Sequence, residues 1–186
     1  MIRTTTSRRI LGLLAAFVLQ AGLLGWMVAD RALLLARGTE IRLPVRPVDP
    51  RDLLRGEYVT LDYEIASLKA GGLARLDPVK PGDAVYVAIE RAGDAWRATS
   101  ATAAPPREGA YLKGRVASAH GEGPQRALRV DYNLEKFFMP EGHAIEVERL
   151  RDAKRIEVDV AVGAGGRAAL KRLVIDGALR YEDPLF

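Results

Sequence analysis

Cysteine is absent from this chain of 186 residues, and histidine occurs only twice. The absence of cysteine excludes disulfide bonds, a lipid-modified cysteine anchor and metal sites with thiolate ligands. With only His120 and His143 available as imidazole ligands, a zinc site is not expected either. We therefore expect a chain that carries no metal and no other cofactor.

A nucleophile is missing from the one stretch that resembles an enzyme motif. The pattern of a proline, a glycine and an acidic residue around Gly56 is similar to that of type I signal peptidases, which use a serine activated by lysine. The position of that serine is occupied here by Val48, and residues 45–57 contain no hydroxyl or thiol. Since that chemistry needs a nucleophile, the sequence argues against it.

A basic excess is also missing from most of the chain, although the net charge is +4. Five of the 28 basic residues and one of the 24 acidic residues precede residue 38, so that 23 of each sign remain after it. A nucleic-acid-binding domain normally carries a basic patch of its own. We therefore expect no nucleic-acid partner.

One long apolar run lies near the N-terminus. Residues 10–29 are apolar apart from one glutamine, and about 20 such residues are what a helix needs to cross a bilayer. Asp30 and Arg31 follow, where a cleavable signal peptide would have a small-x-small site. We predict an uncleaved signal anchor whose helix continues to residue 37 and ends at Gly38.

The charges before the apolar run indicate its direction. Arg3, Arg8 and Arg9 are dense enough to favour the cytoplasmic side for the N-terminus. The predicted organisation is a cytoplasmic segment at residues 1–9, a transmembrane anchor with its extension at residues 10–37, and an extracytoplasmic domain at residues 38–186.

The rest of the chain shows short stretches of alternating polarity that are separated by glycine- and proline-rich turns. Strands are predicted at residues 40–45, 57–65, 84–91, 96–102, 111–117, 126–133, 156–162 and 167–175, with a loop at 67–82. Pro44 suggests an edge position for the first strand. Ala144, Val147, Leu150 and Ala153 recur every three residues, which predicts a short amphipathic helix.

The fold class that follows is β-rich, all-β or α+β. We expect a compact barrel or sandwich with one short helix, preceded by a single N-terminal transmembrane helix.

Residues 48–65, which read VDPRDLLRGEYVTLDYEI, combine a charged turn with a strand. Four charged residues crowd the turn: Asp49, Arg51, Asp52 and Arg55. Gly56 then allows the backbone to turn at low steric cost. From Glu57 the period is two, so that Leu61 and Tyr63 share one face and Tyr58 lies on the other.

The octapeptide GEYVTLDY resembles the signature of the GDYXXLXY family of membrane-anchored bacterial proteins. The matching residues are Gly56, Tyr58, Leu61 and Tyr63. Glu57 replaces the aspartate of the signature and keeps its charge on a longer side chain. Residues 137–148 are similar to a later stretch of the same family.

The resemblance implies a location and a kind of partner, but no reaction. It implies a single-pass protein of the bacterial inner membrane whose main domain is periplasmic. It also implies an accessory or binding role beside another envelope protein or a polytopic membrane protein.

Two clusters of polar residues are candidate sites. The first holds the carboxylates Asp49, Asp52, Glu57, Asp62 and Glu64, which suit either an acid/base pair or hard-cation site, or a structural network with Arg51 and Arg55. We favour the structural interpretation. For Tyr58 and Tyr63, we expect at least one ring to be packed with its hydroxyl hydrogen-bonded.

The second cluster opens the predicted helix with Glu141, His143 and Glu146. His143 and Glu146 share a helix face, a spacing that suits a metal ligand pair or a positioned base. Acidic residues in a first helical turn also stabilise the helix dipole, and we favour that structural role.

Two classes of function remain at this point. The favoured one is a non-enzymatic accessory domain. The alternative is a carboxylate-dependent hydrolase or carbohydrate-acting envelope enzyme that uses Asp49, Asp52, Glu57 and Glu141. A deep pocket of converging carboxylates would favour the enzyme, whereas a shallow groove lined by apolar or tyrosine side chains would favour the binding domain.

Overall fold

The computed structural model describes residues 3–48, 58–93, 95–138 and 156–182. A single long helix, α1 (Arg3–Arg37), opens the described part. Its sequence is rich in leucine and alanine and has no proline, which favours a continuous helix. The helix residues 10–29 are exposed, and one helix of the described ranges, spanning Ile10–Arg37, is long and apolar enough to cross a membrane.

Gly38 ends α1, as the sequence predicts. Its backbone N–H donates to the carbonyl oxygen of Leu34 at 2.9 Å. A Cβ at Gly38 would lie 2.6 Å from that oxygen and 3.0 Å from the Cβ of Ala161. The chain therefore needs glycine at this position because the helix end and the following sheet approach each other closely.

Twelve strands follow within the described ranges and form two six-stranded sheets. They are β1 (Thr39–Val48), β2 (Tyr58–Tyr63), β3 (Ser67–Lys69), β4 (Arg75–Leu76), β5 (Ala84–Ala92), β6 (Ala95–Thr102), β7 (Ala110–His120), β8 (Ala127–Asp131), β9 (Lys136–Phe138), β10 (Ile156–Val162), β11 (Ala168–Ile175) and β12 (Ala178–Glu182). The first sheet has the order β12-β11-β10-β1-β2-β9 and the second the order β3-β8-β7-β5-β6-β4.

The hydrophobic core lies between the two sheets. Alternate residues of β1 and β5 face it, namely Ile41, Leu43, Val85 and Val87, each at most 1% exposed. Fully burying an aliphatic side chain of this size contributes about 1.5–3 kcal/mol. The β-rich class is therefore confirmed, and the period of two in the sequence is the pattern that builds the core.

Most of the predicted strands are confirmed, with small shifts at their ends. The predicted loop at residues 67–82 contains the short strands β3 and β4, and the C-terminal tail adds β12. The predicted helix with Ala144 and Leu150 lies outside the described residues.

The predicted edge position of the first strand is wrong, because β1 lies between β10 and β2. β1 pairs with β10 over residues 39–45 and with β2 over residues 45–48. Within the described ranges, Pro44 consequently has a paired residue on the β10 side only. A proline, which has no N–H to donate, is tolerated at such half-paired positions.

The last two turns of α1 pack on the outer face of the first sheet. Leu35 is buried against Ala161 and Ala169. The guanidinium group of Arg167, just before β11, donates two hydrogen bonds to Asp30, at 2.6 and 2.9 Å. The helix is therefore joined to the domain by packing and by a forked ion pair.

Candidate functional site

Nine of the candidate site residues lie outside the described residues: Asp49, Arg51, Asp52, Arg55, Gly56, Glu57, Glu141, His143 and Glu146. Three fall in β2. The backbone of Tyr58 pairs with Phe138 of β9, and Leu61 and Tyr63 are each 1% exposed in the core. The second half of the signature is therefore part of the core.

Hydrogen bonds from two buried tyrosine hydroxyls connect the end of β2 and the turn after it to the chain after β8. The hydroxyl of Tyr63 donates to the carbonyl oxygen of Leu134 at 2.7 Å, and the hydroxyl of Tyr132 donates to that of Ile65 at 2.8 Å. Burial raises the pKa of both phenols. The prediction that at least one tyrosine is packed with a satisfied hydroxyl is confirmed by Tyr63.

Glu135 lies beside this pair of tyrosines. Its Oε1 accepts a hydrogen bond from the backbone N–H of Tyr132 at 2.8 Å, and its own carbonyl oxygen accepts one from Leu61 at 2.8 Å. Burial raises the pKa of the Glu135 carboxyl, and the neighbouring Asp131 raises it further. Glu135 is thus a partly buried carboxyl that the sequence did not single out.

Asp62, one of the five carboxylates of the first cluster, is engaged in an ion pair. Its Oδ1 lies 2.6 Å from Nη2 of Arg129 on β8. The same guanidinium group donates to the hydroxyl of Ser67 at 2.9 Å. Asp62 therefore links strands of different sheets, which agrees with the structural interpretation of this carboxylate; the predicted partners Arg51 and Arg55 lie outside the described residues.

An open, polar cleft of about 670 Å³ lies where β1 and β10 meet the β5–β6 hairpin. Its lining includes Glu40, Arg42, Glu157 and Asp159 from the first sheet and Arg91 and Trp96 from the hairpin. None of these six residues is among those predicted from the sequence.

Two residues that line the cleft, Arg42 and Asp159, belong to a row of alternating charges. Arg42 donates from Nε and Nη2 to the two carboxylate oxygens of Asp159, at 2.7 and 3.1 Å. Nε of Arg172 lies 3.2 Å from Oδ2 of the same carboxylate. Because Asp159 stands opposite both arginines in the strand register, the row runs Arg, Asp, Arg across β1, β10 and β11.

The row continues into a wider network. Nη1 of Arg42 lies 4.0 Å from Oε2 of Glu157, and Glu40 accepts hydrogen bonds from Lys171, at 2.9 Å, and from Arg172. The hydrogen bond to Asp159 raises the pKa of the Arg42 guanidinium group. Both oxygens of Asp159 face guanidinium nitrogens, so this carboxylate is placed as a counter-ion and not as a proton acceptor.

Trp96 lines the cleft and also a second hollow of about 230 Å³. That hollow is lined by residues of the turn after β2, of β3 and of β6, among them Glu64, Lys69 and Arg97. The indole also packs partly against the core. A large aromatic residue is therefore shared by two depressions and is partly packed against the core.

The cleft was missed because its charges lie far apart in the chain. Arg42 and Asp159 are 117 positions apart, and only the register of β1 on β10 brings them together. The available signal was the alternation of Glu40 and Arg42 with apolar residues, matched by the alternation of Glu157 and Asp159. Opposite signs at alternate positions of two strands are what cross-strand pairs require.

Within the part of the chain that the structure describes, no group of three or more His, Asp or Glu side chains is arranged to hold a metal ion. The described cleft offers charged side chains and one aromatic side chain in an open depression.

Comparison with known proteins gives one finding. A family model described as GDYXXLXY protein matches residues 20–173, which is most of the chain. No curated protein and no solved structure matches it. The match includes the signature octapeptide, the described cleft and the second half of α1.

Proposed function

The chain belongs to the GDYXXLXY family, and from this membership and its docked apolar helix we propose that it is a membrane-anchored accessory domain. Its role is to bind a segment of another membrane or envelope protein. The membrane is the bacterial inner membrane, and the domain lies on its periplasmic side.

The proposal of a membrane anchor is supported by the difference between the exposed first part of α1 and its last turns, which contact the domain. Residues 10–29 are exposed and, at 1.5 Å per residue, span about 30 Å, the thickness of the hydrocarbon core. Soluble proteins rarely expose an apolar surface of this extent. The following turns carry Asp30 and Leu35, which contact the domain, and a cleaved signal sequence would not need such contacts.

The observation that carries the binding role is that Trp96 lines both hollows. Tryptophan and arginine are the side chains most often responsible for the free energy of protein–protein binding, and Arg91 and Arg97 flank this tryptophan. An extended segment of a partner that crosses the indole would place one side chain in each hollow. The charged walls would select its orientation.

A second candidate is a carbohydrate-acting enzyme, and one observation favours it. The larger cleft combines an aromatic side chain with carboxylates and guanidinium groups, and its volume of about 670 Å³ suits a small polar ligand. Asp159 is already held by two arginines, which favours the binding role over acid/base chemistry.

Affinity purification from detergent-solubilised membranes tests the proposal. The full chain and a Glu108→Ala control, which changes an exposed residue, should recover the same partner, whereas Trp96→Ala should lose it. Trp96→Phe keeps part of the packing and should retain part of the partner. Unfolding temperatures of the purified proteins separate loss of binding from loss of fold, and equal recovery with folded Trp96→Ala would contradict the proposal.

A further inference from the structure

The anchor of this protein is docked on its domain, and no flexible linker separates the two. Asp30 accepts two hydrogen bonds from Arg167, Leu35 is buried, and Gly38 joins α1 directly to β1. A helix that crosses a bilayer and is fixed in this way also fixes the orientation of the domain. The inference that follows rests on the proposed anchoring.

The contacts of α1 show which end of the domain lies toward the apolar run. Leu35 packs against the paired parts of β10 and β11. Leu34 lies next to Gly163, and Asp30 binds Arg167. Gly163 and Arg167 flank the turn Ala164–Gly166, which joins these two strands. Asp30 directly follows the exposed run of residues 10–29. The turn is therefore within about one helical turn of the membrane surface.

An aromatic and basic patch adjoins this turn on the outer face of the second sheet. A Cβ on Gly166 would lie 2.7 Å from ring carbons of Tyr111 and 2.9 Å from the backbone nitrogen of Lys113. The ring of Tyr111 stands edge-to-face with that of Tyr86, with centroids 6.0 Å apart. The ammonium group of Lys113 lies 5.8 Å from the centroid of Tyr86.

We propose that this patch, Tyr86, Tyr111 and Lys113, rests on the bilayer and binds the headgroups of anionic phospholipids. Tyrosine rings are enriched at the level of lipid headgroups because one end is apolar and the other polar. Lysine and arginine at that depth are attracted to anionic lipids. The occupant is lipid and not a soluble ligand, because the patch is continuous with the docked anchor.

Three alanine-to-cysteine variants test the geometry, since the chain has no cysteine of its own. Ala164→Cys lies in the turn, Ala178→Cys lies at the opposite end of β11, about 23 Å away along the strand, and Ala21→Cys lies in the apolar run. Each full-length variant carries one fluorophore in nanodiscs that contain phosphatidylglycerol and a lipid with a nitroxide on its headgroup or acyl chain.

The headgroup nitroxide should quench the probe at Ala164 severalfold more than the probe at Ala178, and the acyl-chain nitroxide should quench the probe at Ala21. Equal quenching of the probes at Ala164 and Ala178, with the probe at Ala21 quenched, overturns the inference and leaves the anchoring intact. An anchor probe that lipid does not quench overturns both.

Nanodiscs that differ in the charge of their lipids test whether the patch binds anionic headgroups. The unfolding temperature of the full chain should be higher in nanodiscs with phosphatidylglycerol than in nanodiscs of phosphatidylcholine alone. Lys113→Gln should reduce this difference, whereas Lys69→Gln, opposite Ala127 and so at the His120 end of the second sheet, should preserve it. The same difference in Lys113→Gln as in the unaltered chain would overturn headgroup binding by the patch.

Discussion

Tyr63 and Tyr132 donate hydroxyl hydrogen bonds in opposite directions between two segments, at 2.7 and 2.8 Å. Each bond satisfies a backbone carbonyl oxygen that the core would otherwise leave without a partner. Leu61 lies two residues before Tyr63 and faces the same core. The last two fixed positions of the signature are thus explained by the stability of the fold.

Tyr63→Phe should lower the free energy of unfolding by about 1–3 kcal/mol, because the carbonyl oxygen of Leu134 stays buried without its donor. Denaturant titration of the detergent-solubilised protein measures the change. Tyr86→Phe, on the outer face of the second sheet, is the matched control and should change little. An unaltered free energy of unfolding in Tyr63→Phe would refute the structural role.

Glu135 makes stability depend on pH in a direction that its environment sets. Burial raises its pKa above the ordinary value of 4.5, so the folded state holds the proton more tightly than the unfolded state. The contribution of this group to stability is therefore complete below pH 4.5 and is lost as the pH rises through the raised pKa. Asp131 faces the same carboxyl and acts in the same direction.

Glu135→Gln removes this titration and can still accept the hydrogen bond from Tyr132. We expect the variant to gain stability relative to the unaltered chain at neutral pH and to lose that advantage as the pH falls toward 4.5. Unfolding temperatures of the variant and of the unaltered chain, measured from neutral pH down to pH 4.5, give this difference in stability. A stability difference between Glu135→Gln and the unaltered chain that stays constant across this pH range would count against a raised pKa of Glu135.

At the scale of the elements, the arrangement that matters is the row across β1, β10 and β11. Asp159 is 3% exposed and would be costly to bury alone, but Arg42 and Arg172 stand opposite it on the two neighbouring strands. A shift of the register by one residue would turn the row toward the core. The row therefore favours one register, and two of its members, Arg42 and Asp159, line the cleft.

The junction between α1 and β1 gives a prediction at the same scale. Gly38→Ala would place a Cβ 2.6 Å from a backbone oxygen, and either the helix end or β10 must move to relieve the contact. We expect a loss of about 1–3 kcal/mol in the free energy of unfolding. Gly72→Ala, where nothing lies within 4 Å of the added carbon, is the control. Equal stability of the two variants would show that the junction is not tightly packed.

At the scale of the whole molecule, a helix with an exposed apolar run and a docked end predicts that the chain is kept intact. The protein should sediment with membranes, resist extraction by salt and dissolve in detergent. Intact-mass measurement should give the full chain, whose composition corresponds to 20.3 kDa. A species shorter by about 30 residues, the length of a signal peptide, would contradict the anchor.

The local properties of this protein can be predicted from its sequence. The run at residues 10–29, the end of the helix at Gly38, the strands and the side of β2 on which Leu61 and Tyr63 lie all follow from composition and period. Each depends only on neighbouring residues, which is why a single sequence is enough.

The pairing of distant strands was decided by the tertiary structure. β1 became a central strand despite Pro44, because β10 and β2 pair with different parts of it. The Arg42–Asp159 ion pair and the two hollows lined by Trp96 form only because strands far apart in the chain are brought together. Alternation tells which face a residue takes, but the partner across the sheet depends on register, and register is settled by the packing of the whole core.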